Sequence, residues 1–68
     1  MRTGVSELMQ AWREAINFEQ SMRERYLAAA LLSDDPSIKS LFEYLAGEEL
    51  KHKQLLEDEY QRIFEAEM

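Results

Sequence analysis

Histidine occurs once in this chain of 68 residues, at His52, three positions after Glu49 and four after Glu48. On a helix either interval brings a carboxylate beside the imidazole ring. Carboxylate oxygen and imidazole nitrogen together suit a divalent metal, with iron or manganese favoured and zinc as a competitor. The pair alone is weak evidence, because the chain carries 14 acidic residues. What gives it meaning is the face it occupies and what else shares that face.

Stepping through the first half at alternating intervals of four and three gives Leu8, Trp12, Ala15, Glu19, Met22, Tyr26 and Ala29. The second half gives Ile38, Phe42, Leu45, Glu49, His52, Leu56 and later Ile63. Such a stripe is the inward face of a helix. Its polar exceptions are Glu19, Glu49 and His52, all at mid-length. Glu48 also faces His52, at the four-residue interval, but the stripe passes through Glu49. Glu59, a heptad beyond His52, reads as solvated.

Two helices joined by one turn must position these groups. Strong helix formers dominate, and the apolar spacing shows no sustained period of two. Thr3 or Ser6 can cap a first helix over about residues 5–32. Ser33-Asp34-Asp35-Pro36 reads as a stop and a restart, with Asp35 the N-cap and Pro36 at the first helical position. The second helix is expected over about 36–64, with Gly47 explained by close packing. With residues 33–35 as the turn, the helices are antiparallel neighbours and the whole chain, 1–68, is one hairpin domain. Glu19 lies 15 residues before Asp34 and Glu49 lies 15 after it. At 1.5 Å per residue both sit roughly 22 Å from the turn, at one level.

A two-helix hairpin has little interior, so the fold expected is all-α, a hairpin that dimerises into a four-helix bundle. The two-fold then gathers two copies each of Glu19, Glu49 and His52. Four buried carboxylates need counter-charge, which two divalent cations supply. Composition narrows the alternatives further. The absence of cysteine excludes disulfides, zinc-thiolate sites and thiol catalysis. A net charge of -6 argues against nucleic acid and is compatible with attracting cations. No apolar run reaches the roughly 18 residues of a membrane span, and no signal peptide is seen. Localisation is expected to be cytoplasmic. Arg23, Arg25, Lys51 and Lys53 read as solvated charges, and Trp12, Met9, Met22 and the Leu27–Leu32 run as core or interface.

At these residues the chain resembles a ferritin-like, rubrerythrin-type domain. Glu19-Gln20-Ser21-Met22-Arg23-Glu24-Arg25-Tyr26 is similar to the segment of that family with a ligand Glu and a Tyr seven residues later. Leu41-Phe42 followed by Glu49-Leu50-Lys51-His52 is similar to its aromatic-to-Glu-x-x-His segment. The likeness covers roughly residues 12–64. It implies that Glu19, Glu49 and His52 are iron ligands, with one Glu pair bridging the metals, and that Tyr26 lies beside the site. Rubrerythrins carry two such hairpins in one chain. The single hairpin here is similar to encapsulated ferritins, which build a di-iron centre between subunits. The rubredoxin-like Cys-x-x-Cys is missing, and no encapsulin-targeting tail follows Phe64. Glu65-Ala66-Glu67-Met68 gives no helix stop, as in a truncated domain.

The function expected is that of a di-iron carboxylate protein, a ferroxidase holding two Fe per homodimer. It would oxidise Fe(II) with dioxygen or peroxide, in iron handling or peroxide defence, with larger rings left open by Ile16, Phe18 and Leu50. The runner-up is a metal-free helical-hairpin interaction module, in which Glu19, Glu49 and His52 form a polar register-setting layer. A third reading keeps the metal without turnover.

Overall fold

Asp35 sets where the second helix starts. Its backbone is extended (φ −85°, ψ 118°), and its Oδ1 accepts from the N–H groups of Ser37 (2.8 Å) and Ile38 (3.4 Å). The Ser37 hydroxyl donates to the same oxygen at 2.7 Å. These bonds satisfy N–H groups that the first turn leaves without helical partners. They also hold the Asp35 carboxyl below its ordinary range, the Ser37 hydroxyl first and the two backbone N–H groups after it. Ser33 completes the turn by accepting from the Asp35 N–H at 3.1 Å.

The computed structural model describes residues 2–65. Helix α1 spans Arg2–Leu32 and helix α2 spans Pro36–Tyr60, followed by a π-helical segment, Gln61–Glu65. Among the described residues there is no strand, and α1 and α2 pack against each other as an antiparallel pair. α1 spans Arg2 onward, so Ser6 lies inside it and does not cap it, while the Thr3 side chain lies outside the described residues. Each residue added to a helix gains a backbone hydrogen bond, whereas a cap at Ser6 would forfeit a whole turn for one. α-Helical geometry ends at Tyr60, earlier than the sequence pattern suggests, and the chain continues through the wider π turn. There Phe64 tilts onto Tyr60 with ring centroids 4.9 Å apart and lies edge-on to Trp12 at 5.7 Å.

The seam between the helices is narrow. Ala30 and Ala46 are its most buried residues, at 3% and 1% exposure, joined by Tyr60 at the end away from the turn. Tyr26 packs on Phe42 in between. Gly47 does not mark a close approach within the chain, since a Cβ built there would meet nothing within 4 Å. The hairpin is long, 51 × 19 × 13 Å, with a radius of gyration of 15.7 Å. A compact chain of this length would have about 11 Å. Much apolar surface therefore stays in water: Leu8, Ile38 and Ile63 near the ends of the stripe are exposed, as are Phe18, Leu41 and Leu55 outside it. The run ending α1 is not core within the chain, with Leu31 80% and Leu32 86% exposed. No described helix is long and apolar enough to cross a membrane.

Candidate metal centre

Glu19 comes from the middle of α1, and Glu49 and His52 from the middle of α2. The antiparallel register places residues whose numbers add to about 68 opposite each other, as for Tyr26 and Phe42. Glu19 and Glu49 obey that relation. His52 stands one helical turn beyond Glu49 on the same face. One ligand atom from each of the three lies within 4.8 Å of the others. His52 Nδ1 is 3.5 Å from Glu19 Oε1 and 3.8 Å from Glu49 Oε1. Those distances exceed a good N–H···O hydrogen bond, and they match donors spread around a space rather than bonded to one another.

The electrostatics are those of an unfinished site. Glu19 Oε1 is buried and accepts no hydrogen bond, a costly state for a carboxylate oxygen. Glu49 has its pKa raised above the ordinary value. The largest cause is a hydrogen bond to the Glu19 carboxyl, which only protonated Glu49 can donate. Partial burial and the Glu19 charge add to it, and His52 pulls the other way. Two carboxyl groups held together resist double ionisation. A cation between them reverses that preference. The donor set of two carboxylates and an imidazole fits a divalent transition metal, and the orphaned Oε1 supplies an oxygen aimed into the space.

The site is half open. The Glu19 and Glu49 side chains keep 19% and 18% exposure, but His52 keeps 57%. His52 thus stands at the edge of the hairpin with its ring toward solvent instead of within a core. Two surface hollows lie elsewhere, over the π turn, lined by residues such as Asp58, Gln61 and Glu65.

Glu48, the rival partner for His52, turns to Lys51, whose Nζ lies 3.1 Å from its Oε2. Glu59 pairs with Arg62 at 2.6 Å, and this partner lowers its pKa. Tyr26 stacks on Phe42 at 6.1 Å. Arg23 does not lie on an outer face: it is half-buried, and its Nη1 donates to the Ala46 carbonyl at 3.1 Å. Trp12 is more than filler, since its Nε1 donates to the Leu56 carbonyl at 2.9 Å. Arg13 Nη1 donates to the Tyr60 hydroxyl at 3.0 Å and sits over that ring at 5.9 Å. The indole N–H carried a signal, because a packed Trp requires an acceptor. Arg23 and Arg13 carried none: a helical arginine of this pattern usually faces water.

The sequence model of one protein family, described as Rubrerythrin, matches residues 11–68. No curated protein and no solved structure matches the chain.

Proposed function

The chain belongs to the rubrerythrin family, a ferritin-like family, and on that premise we propose that it is a di-iron carboxylate protein working as a ferroxidase. The observation that carries this reading is the buried, unbonded Glu19 Oε1 beside a second carboxylate and an imidazole. Rubrerythrins typically bind iron, and a di-metal centre in a ferritin-like bundle draws two lone Glu ligands and two Glu-x-x-His pairs. One hairpin supplies one Glu and one Glu-x-x-His. Two hairpins supply the full set.

The second hairpin is a second copy of this chain. The accessible surface is 5309 Å² for a mass of 8.1 kDa, whereas a folded monomer of that mass exposes about 4500 Å². The excess of about 800 Å² equals one partner's share of a standard interface. Exposed Leu41 and Leu55 share the face of α2 that carries the open ring of His52, so covering that face also closes the site.

Glu19, Glu49 and His52 from each copy would hold two iron ions, which supply one-electron chemistry toward dioxygen or peroxide. In this arrangement a cation beside Glu49 offsets the Glu19 charge that raises its pKa, so the ionised carboxylate is favoured as a ligand. Glu19 offers Oε1 with no competing donor to displace. His52 contributes a nitrogen from the open side, and the partner's apolar face excludes water around it. The net charge of -6 favours arrival of the Fe(II) substrate.

Anaerobic Fe(II) titration is expected to saturate near two Fe per dimer, and admission of air should bring ferric absorbance faster than in buffer. Saturation without oxidation would mean a metal-holding protein without turnover. The exposed apolar residues favour a second reading, a metal-free interaction module. Elemental analysis of protein purified without chelators separates the two, since the module carries no stoichiometric metal.

A further inference from the structure

We infer that Arg23 and Trp12 are positioning residues that hold Glu19 level with Glu49 by clamping two carbonyls of the opposite helix, one on each side of the carboxylate layer. Arg23 lies four residues after Glu19, and its acceptor, Ala46, lies three before Glu49. Trp12 lies seven residues before Glu19, and its acceptor, Leu56, lies seven after Glu49. The donors are 11 residues apart on α1 and the acceptors 10 apart on α2, about 16 and 15 Å of helix. The two bonds thus form matched rungs with the Glu19, Glu49 and His52 cluster between them. Both accepting carbonyls belong to the α2 ladder and use their second lone pair for the clamp.

The seam needs such rungs because it has little relief of its own. At mid-length its most buried residue is Ala46, whose small side chain gives the opposite helix little to lock against. The turn fixes height at its own end through Asp35 and through Lys39, whose Nζ donates to the Ala30 carbonyl at 3.0 Å. Glu19 lies 15 residues from Asp34, beyond that grip. A slip of one helical turn is about 5.4 Å, more than the 4.8 Å that encloses the three ligand atoms. A rotation that carries Glu19 off the seam separates them as surely. Arg23 checks movement on the turn side of the layer, and Trp12 checks it on the far side.

The geometry stands without a metal, but its functional consequence rests on the di-iron reading. The experiment therefore has two arms. In the metal-free protein, nuclear Overhauser cross-peaks between the Glu19 and Glu49 side-chain methylenes report the register directly. With Co(II) as probe, titration and the visible d–d spectrum report affinity and ligand geometry. The variants are Trp12→Phe, which keeps a ring and removes the N–H, Arg23→Met, which keeps the stem and removes the donors, and the two combined.

The combined variant should lose most of the Glu19–Glu49 cross-peak and bind Co(II) on the order of tenfold more weakly, the scale of one lost charged hydrogen bond, with an altered d–d band. Arg23→Lys, which restores a donor, should recover much of the affinity. Asp35→Ala, which weakens the turn without touching the rungs, should lower stability and leave the cobalt spectrum as it was. An unchanged cross-peak in a folded combined variant overturns the clamp, whatever the metal does. A cross-peak that falls while even the parent protein takes up no Co(II) upholds the clamp and defeats the di-iron reading instead.

Discussion

The two ends of the seam beyond the turn are built from opposite accounts of polar groups. In the aromatic layer every polar tip is answered inside the chain. The Trp12 N–H reaches Leu56, the Arg13 guanidinium reaches the Tyr60 hydroxyl, and the Trp12, Tyr60 and Phe64 rings meet edge-on or tilted at 4.9 to 6.5 Å. Two helical turns away, Glu19 Oε1 has no partner, Glu49 is pushed toward its protonated form, and His52 faces out. The same helices, in the same register, finish one layer and leave the other open. A layer satisfied internally contributes stability. A layer left open costs stability in the free chain.

Substitutions at the two layers should accordingly fail in different currencies. The largest effect expected is at His52. His52→Ala should abolish stoichiometric iron uptake while circular dichroism of the metal-free chain is nearly unchanged, because an exposed ring contributes little packing. Uptake retained at two Fe per dimer would remove His52 from the site. Tyr60→Ala in the aromatic layer should do the reverse, costing about 3 kcal/mol in urea denaturation, as truncated core aromatics do. Metal binding in the fraction that stays folded should persist.

Glu49→Gln sharpens the contrast. The raised pKa means that folded Glu49 holds its proton more tightly than unfolded Glu49 does. Stability of the metal-free protein should therefore fall as pH rises from the ordinary value of 4.5 through the higher folded value. The Gln variant, which cannot ionise, should lack that loss and melt a few degrees higher at neutral pH while binding iron poorly. Equal or lower melting temperature across that range would contradict a strained carboxylate pair. Asp35→Ala should have the smallest effect, a modest drop in melting temperature. The stability Asp35 gives is present above 3.8 and is lost as pH falls through its lowered folded pKa, so parent and variant should converge in acid.

The hairpin and its turn were legible because their signals are local. Pro36 after Asp35 fixes a helix start wherever it occurs, and counting 15 residues either way from Asp34 puts Glu19 level with Glu49. The choice of Glu49 over Glu48 followed from helical phase. Local signals misjudged Ser6 as a cap, since continued backbone bonding carries α1 past it, and Gly47 meets no close approach within the chain itself. Arg23 could not be read at all. Its role depends on a carbonyl 23 residues away on another helix, and no spacing within α1 encodes that.

Sequence alone thus determined which carboxylates and imidazole meet at mid-length, their height and the shortage of interior, because composition and helical pitch are properties of the chain itself. Tertiary structure decided which carboxylate oxygen is left without a partner, which side of His52 is open, and which side chains brace the layer between the helices. Those depend on the rotation of one helix against the other, and that angle exists only once the two have met.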